Sequence, residues 1–184
     1  FKQKTAYEIP KRDWSSDVCS SDLCGTKTVT KNTETKFSVP TDCQNTNILA
    51  ALPSDIPNPK WIDTKWNPAP ETDLYNALNS GGIACSYGNQ NLEVGATILW
   101  APSELKTFET LAKNWSMSKL DIPGVSEESA YWLGNEATGA DDMHRWTLNF
   151  LYKANWIQIN ASYIYSMDDA LPLINAAIES LNRG

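Results

Sequence analysis

Residues 92–100 read LEVGATILW, and their alternation decides the fold. Leu92, Val94, Ala96, Ile98 and Trp100 share one side, while Glu93, Gly95, Thr97 and Leu99 face the other. Period two over this length marks a strand with one face packed against helices and one partly solvated. Just upstream, Ile83, Cys85 and Tyr87 alternate in the same way before Gly88-Asn89. The short connection at 88–91 predicts an antiparallel hairpin. Downstream, Pro102-Ser103-Glu104 opens a helix in which Leu105, Phe108, Leu111, Ala112 and Trp115 follow three-to-four spacing. Trp100 and Trp115 therefore fall on apolar faces and are expected in the core.

The second half echoes the first. A short edge strand is expected at 130–133, followed by longer strands at 145–152 and 156–165 joined around Lys153-Ala154-Asn155. Trp146, Leu148, Phe150 and Tyr152 make one core face; Ile157, Ile159, Ala161 and Tyr163 make the other. The closing helix is expected from Asp168-Asp169, with Pro172 in its first turn and an apolar stripe of Leu171, Ile174, Ile178 and Leu181. An earlier helix in ETDLYNALNSGG (71–82) presents Leu74, Ala77 and Leu78 and ends at Gly81-Gly82. Residues 40–70 hold six of the ten prolines and read as irregular, with one helical turn at 48–52 and Trp61 and Trp66 laid over the core. The fold class is α/β: a two-layer domain with a mainly antiparallel sheet packed by helices. Hairpin followed by helix occurs twice, at 83–115 and 145–183, which allows two ββα units around one sheet.

Composition narrows the function. The 184 residues carry 15 Lys plus Arg against 22 Asp plus Glu, a net −7. Nucleic-acid binding needs clustered cations to displace counterions, so no nucleic-acid partner is expected. No run of about 18 apolar residues offers a spanning helix. Residues 1–23, and RDWSSDVCSSDL above all, resemble translated sequencing-adaptor read-through and are set aside as a non-native, artefactual segment. Their four basic and four acidic residues cancel, leaving 11 and 18 beyond them.

Residues 24–40 read as a flexible tether, with five threonines between Thr26 and Thr35. Cysteine, glycine and a Thr/Lys-rich stretch resemble the mature start of a bacterial lipoprotein. That resemblance implies lipid attachment at Cys24; the other reading is an ordinary cysteine in a polar tail. With Cys24 lipidated and Cys19 set aside, Cys43 and Cys85 remain as candidates for a bridge. Closing about 42 residues, it is worth ~4 kcal/mol; two separate buried thiols are the alternative. Residues 41–184 then form a single envelope domain.

A family resemblance gathers these elements. A cysteine strand after a helix ending in Gly-Gly comes first, then LEVGATILW and a midchain helix. PGVSEESAYW at 123–132, a hairpin and an Ala-rich terminal helix complete the set. The set resembles the actinobacterial lipoproteins grouped as domain of unknown function 3558, and more distantly the extracellular sensor domains of actinobacterial serine/threonine kinases. The resemblance covers residues 43–181 and implies an envelope protein, lipid-anchored on the extracytoplasmic side of the cell membrane or secreted. It carries no assigned chemistry.

Catalytic signals are sparse. His144 is the only histidine, and no G-x-S-x-G elbow accompanies it. Glu127-Glu128, Asp141-Asp142 and Asp168-Asp169 are adjacent pairs, whereas glycoside hydrolysis needs two acids about 5–9.5 Å apart across a cleft. No Cys/His cluster supplies four metal ligands, so neither metal nor cofactor is expected. Tryptophan is the informative excess, at eight residues. Trp61, Trp66, Trp132 and Trp156, with Tyr131, are the candidates for a ligand-binding wall. The leading expectation is a non-catalytic binding protein for a small-molecule, glycan or envelope-protein ligand. A module regulating another membrane protein through a flat strand face is the second. A cell-envelope hydrolase, which needs His144 within about 3 Å of a serine or acid, is the third.

Overall fold

Alternation along 92–100 produces the strand Val94–Pro102 (β4), and the rest of the domain is arranged on its two faces. The computed structural model describes residues 36–125, 130–135 and 145–183, exclusive of the side chains of residues 132–135 and 183. All belong to one unit, Glu34–Gly184. Cys24, His144 and the pairs at 127–128 and 141–142 lie outside the described residues.

The other strands are Phe37–Ser38 (β1), Lys60–Ile62 (β2), Ile83–Asn89 (β3), Ser118–Lys119 (β5), Ala130–Asn135 (β6), Arg145–Tyr152 (β7), Asn155–Ala161 (β8) and Asn182–Arg183 (β9). The α-helices are Ile48–Ala51 (α1), Asp73–Asn79 (α2), Leu105–Ala112 (α3) and Met167–Glu179 (α4). Among the described residues, seven strands form an antiparallel sheet in the order β2-β3-β4-β8-β7-β6-β5. β1 pairs with β9 as a separate two-stranded ribbon, Phe37 opposite Arg183.

Register explains the faces. Cys85 lies opposite Ile98 and Ile98 opposite Ile159, which in turn faces Leu148. Because side chains alternate, this row and its inner-face neighbours Tyr87, Trp100, Phe150 and Ile157 join one buried cluster. Ala170, Leu173, Ile174 and Ala177 of α4 seal it, together with Ile48 of α1. Each large apolar side chain so buried contributes about 1.5–3 kcal/mol. Trp100 is fully enclosed, and its indole N–H donates to Ala177 O at 2.9 Å. That bond removes the cost of a buried donor and fixes α4 across the sheet.

Local chemistry sets the ends. Ser166 caps α4: its Oγ accepts from Asp169 N–H, while Asp169 Oδ2 accepts from Ser166 Oγ–H and Tyr165 N–H. These bonds favour the carboxylate and hold Asp169 below the ordinary range. Lys153 and Ala154 both take positive φ, the conformation a two-residue hairpin turn needs between twisted strands. Cys43 and Cys85 are disulfide-bonded across 42 positions. Beside the bridge, Tyr87 donates its hydroxyl to Cys43 O at 2.8 Å and shares a 2.7 Å bond with Thr46 Oγ1. Burial pushes this phenol up to about 12, with Asp42 adding to the rise and Thr46 opposing it. Tyr163 is also raised by burial.

The domain is thus a two-layer α/β structure with an antiparallel sheet packed against helices. Hairpin-then-helix does occur twice, but the helices choose opposite faces. α4 covers the inner face, whereas Phe108 of α3 joins Ala84, Leu99 and Trp156 on the outer one. A two-fold axis relating the hairpins would stand perpendicular to the sheet and place both helices on one side.

Several boundaries depart from expectation. Leu92 continues the alternation in sequence but sits in a 3-10 turn at Gln90–Leu92, 57% exposed, with Glu93 in the left-handed region. Strand 130–135 is interior, because Ser118–Lys119 pairs outside it and becomes the edge. The proline-rich stretch still supplies an edge strand, Lys60–Ile62, and the last long strand ends at Ala161. Pro172 is the sixth residue of its helix and falls in the second turn rather than the first, since Ser166 caps α4 and starts it at Met167, before Asp168. The missing N–H then costs one internal bond, to Asp168 O.

Candidate functional site

Outward positions of the central strands are of two kinds. Near one end, Ala84, Leu99, Ala101, Leu151 and Trp156 are apolar and pack beneath Ala77 of α2 and Phe108 of α3. Toward the other end, the same rows carry Ser86, Thr97, Gln158, Asn160, Thr147 and Asn149. Here, among the described residues, only the start of α2 at Asp73-Leu74 reaches over the sheet, and a groove of about 720 Å³ opens.

Cross-strand register brings these polar groups into hydrogen-bonding contact. Ser86 Oγ and Thr97 Oγ1 lie 3.0 Å apart on neighbouring strands. Thr147 donates to Asn160 Oδ1, and Asn160 Nδ2 donates to Gln158 Oε1 at 3.0 Å. Gln158 Nε2 donates to Asn149 Oδ1 at 3.0 Å and to Asp73 Oδ2 at 3.1 Å. Asn149 is fully buried; its Oδ1 also accepts from Trp156 Nε1 at 2.8 Å, and its Nδ2 donates to Met117 Sδ. A buried amide left unpaired costs about 1–3 kcal/mol, so the network compensates its own burial. It also locks each side chain in one orientation.

Walls rise from irregular segments. Trp66 lines the groove and donates its indole N–H to Ala84 O at 2.8 Å, beyond the end of β2, which holds the ring in place. Leu74 and Ile62 stand on the same side, Arg145 on the other, and Glu93 at the hairpin end. Gly88 and Gly95 face each other there, and a Cβ on either would run into backbone of the opposite strand. Two glycines therefore leave the end of the floor clear of side chains.

The aromatic candidates separate. Among the described side chains of these candidates, Trp66 lines this groove. Tyr131 and Trp156 belong to an aromatic cluster with Phe108 and Trp115, in which Trp156 is 1% exposed and meets Trp115 at 5.7 Å between centroids. Trp61 pairs with Tyr87 and packs against the inner cluster. Trp132 pairs with Leu148 and Ser118 in register, and its side chain lies outside the description.

Sequence reasoning missed Ser86, Thr97, Asn149, Gln158 and Asn160. A signal was present: asparagine is depleted in strands, yet Asn149 and Asn160 both sit in long apolar ones. A larger recess of about 1210 Å³ lies at the opposite strand ends, between Phe37, Pro102, Glu104 and Asn155. Asn155 there donates to the backbone carbonyls of Phe37 and Lys153, tying turns together. Among the described residues, no group of three or more His, Cys, Asp or Glu is placed to hold a metal ion. None of the described helices is long and apolar enough to cross a membrane. No family model matches the chain, nor does any curated protein or solved structure.

Proposed function

We propose that this protein is a non-catalytic extracytoplasmic lipoprotein, attached through Cys24, that binds a small or envelope-derived ligand in the outer-face groove. The observation that carries the reading is the polar floor of Ser86, Thr97, Gln158 and Asn160 beside Trp66, its two amides held by hydrogen bonds from Thr147 and to buried Asn149. Polar groups converging in a concavity with an aromatic wall are the ordinary composition of a ligand site. Its concavity favours a ligand over the flat partner surface that a regulatory module would use. The Cys43–Cys85 bridge supports an oxidising compartment, where such bonds persist. The resemblance to the lipoproteins of domain of unknown function 3558 points the same way.

Native mass spectrometry of the chain after incubation with an envelope extract tests this reading. A bound small molecule is expected on the unaltered protein and not on Thr97→Trp, whose indole fills the groove. Equal retention by both proteins, or by neither, would overturn the assignment.

A further inference from the structure

Resting on that reading, we infer that the groove's ligand is a neutral saccharide, recognised through its hydroxyls by the amide and hydroxyl floor and through a ring face by Trp66. Charge is the first argument. Arg145 and Glu93 lie on the lining with opposite signs, and Asp73 at the start of α2 already accepts from Gln158. Among the described residues, nothing there gathers the cations that an anionic ligand needs.

Polarity excludes an apolar ligand. Ser86 and Thr97 share one hydrogen bond, so one hydroxyl hydrogen is uncommitted among the described residues. Asn160 likewise has a second Nδ2 hydrogen without a partner among them. Covering these with hydrocarbon would strip their water and return nothing. A peptide bound by strand addition needs a free sheet edge, but the floor is the face of β3, β4 and β8. Their backbones pair with one another in continuous ladders, leaving only side chains to the ligand.

A saccharide meets each condition. Every hydroxyl both donates and accepts, which matches a floor offering amide N–H, amide oxygen and hydroxyl groups side by side. Polarised C–H groups on a pyranose face are attracted to the negative face of an indole. Trp66 is held by Ala84, and the floor amides hold one another, so binding orders few side chains.

Isothermal titration calorimetry on the full chain decides the matter, using cellotriose, maltotriose, mannotriose and chitotriose. A capped tetra-alanine peptide and the apolar fluorophore diphenylhexatriene serve as competing chemistries. At least one trisaccharide is expected to bind with millimolar or tighter Kd. Thr97→Val keeps the side-chain shape and should weaken it about fivefold, the value of one hydrogen bond. Leu49→Ala, on α1 and away from the groove, should leave it unchanged. Binding of only the peptide or the fluorophore overturns the saccharide assignment and leaves the groove reading standing. Failure of every probe and of the envelope extract overturns both.

Discussion

The two faces of the sheet share strands but not chemistry. On β4 alone, Ala96, Ile98 and Trp100 point inward while Gly95, Thr97, Leu99 and Ala101 point outward. Inner residues are dry, helix-covered and apolar from β3 across to β7. Outer residues begin apolar beneath α2 and α3, then change to amides and hydroxyls where the helices stop. Apolar side chains at these open positions would be exposed, and polar ones scattered singly would simply meet water. Instead they form a Ser86–Thr97 pair and a partly buried chain from Thr147 through Asn160 and Gln158 to Asn149. Hydrophobic burial accounts for the inner face by itself. The outer network contributes little net stability, since each bond mostly replaces one to water, which fits the binding role proposed above.

The sharpest way to break the comparison is Trp100→Ala. It removes a fully enclosed indole and its bond to Ala177, and should cost about 4 kcal/mol in a urea unfolding curve. A loss below about 1 kcal/mol would mean that the inner face is not the core. Next in size is the double change Cys43→Ser, Cys85→Ser. Opening the loop should cost about 4 kcal/mol at most, less where the unfolded chain retains structure. Unreduced mass spectrometry should show the intact chain two hydrogens lighter per bridge than the reduced form (about 2 Da). Stability unchanged on reduction would show that the inner face alone holds the turn at Cys43–Asn45.

How far the sequence discloses each face follows from what fixes it. Inner residues are set by period, so Ile98, Trp100, Leu148, Phe150, Ile157 and Ile159 are legible without coordinates. Strand ends are not. Leu92 prolongs the alternation, yet the chain has already turned, because Glu93 adopts positive φ to close the hairpin. Lys60–Ile62 and Ser118–Lys119 are too short to show a period and exist because a neighbouring strand offers an edge. The groove depends on register, which places Thr147 opposite Asn160 and Asn149 opposite Gln158. Such partners are nine or more positions apart, and no local pattern pairs them. Tryptophan excess drew attention to Trp66 and Trp156 alike and could not tell a residue on the groove lining from a buried one.

Within the outer face, Asn149→Leu probes the boundary between its two halves. Leucine fits the volume but accepts no hydrogen bond, stranding Trp156 Nε1–H and one Gln158 Nε2–H. The expected cost is about 2 kcal/mol by urea unfolding, half that of the inner-face change. A neutral or stabilising result would show that water or another acceptor already serves both donors.

The smallest effect is the most telling, because it compares neighbours. Thr97→Val replaces a hydroxyl by a methyl on a half-buried outer position, keeping the branched shape that a strand favours. Its bond to Ser86 is lost, but both partners stand at the groove surface where water substitutes. Stability should move by less than about 0.5 kcal/mol. One residue on, Ile98→Thr places a hydroxyl where nothing is exposed, and should cost about 2 kcal/mol or more. A gap between the two variants is what distinguishes an open face from a closed one. If Thr97→Val cost as much as Ile98→Thr, the outer floor would be part of a sealed core. Its polar network would then be structural, and no ligand could reach it.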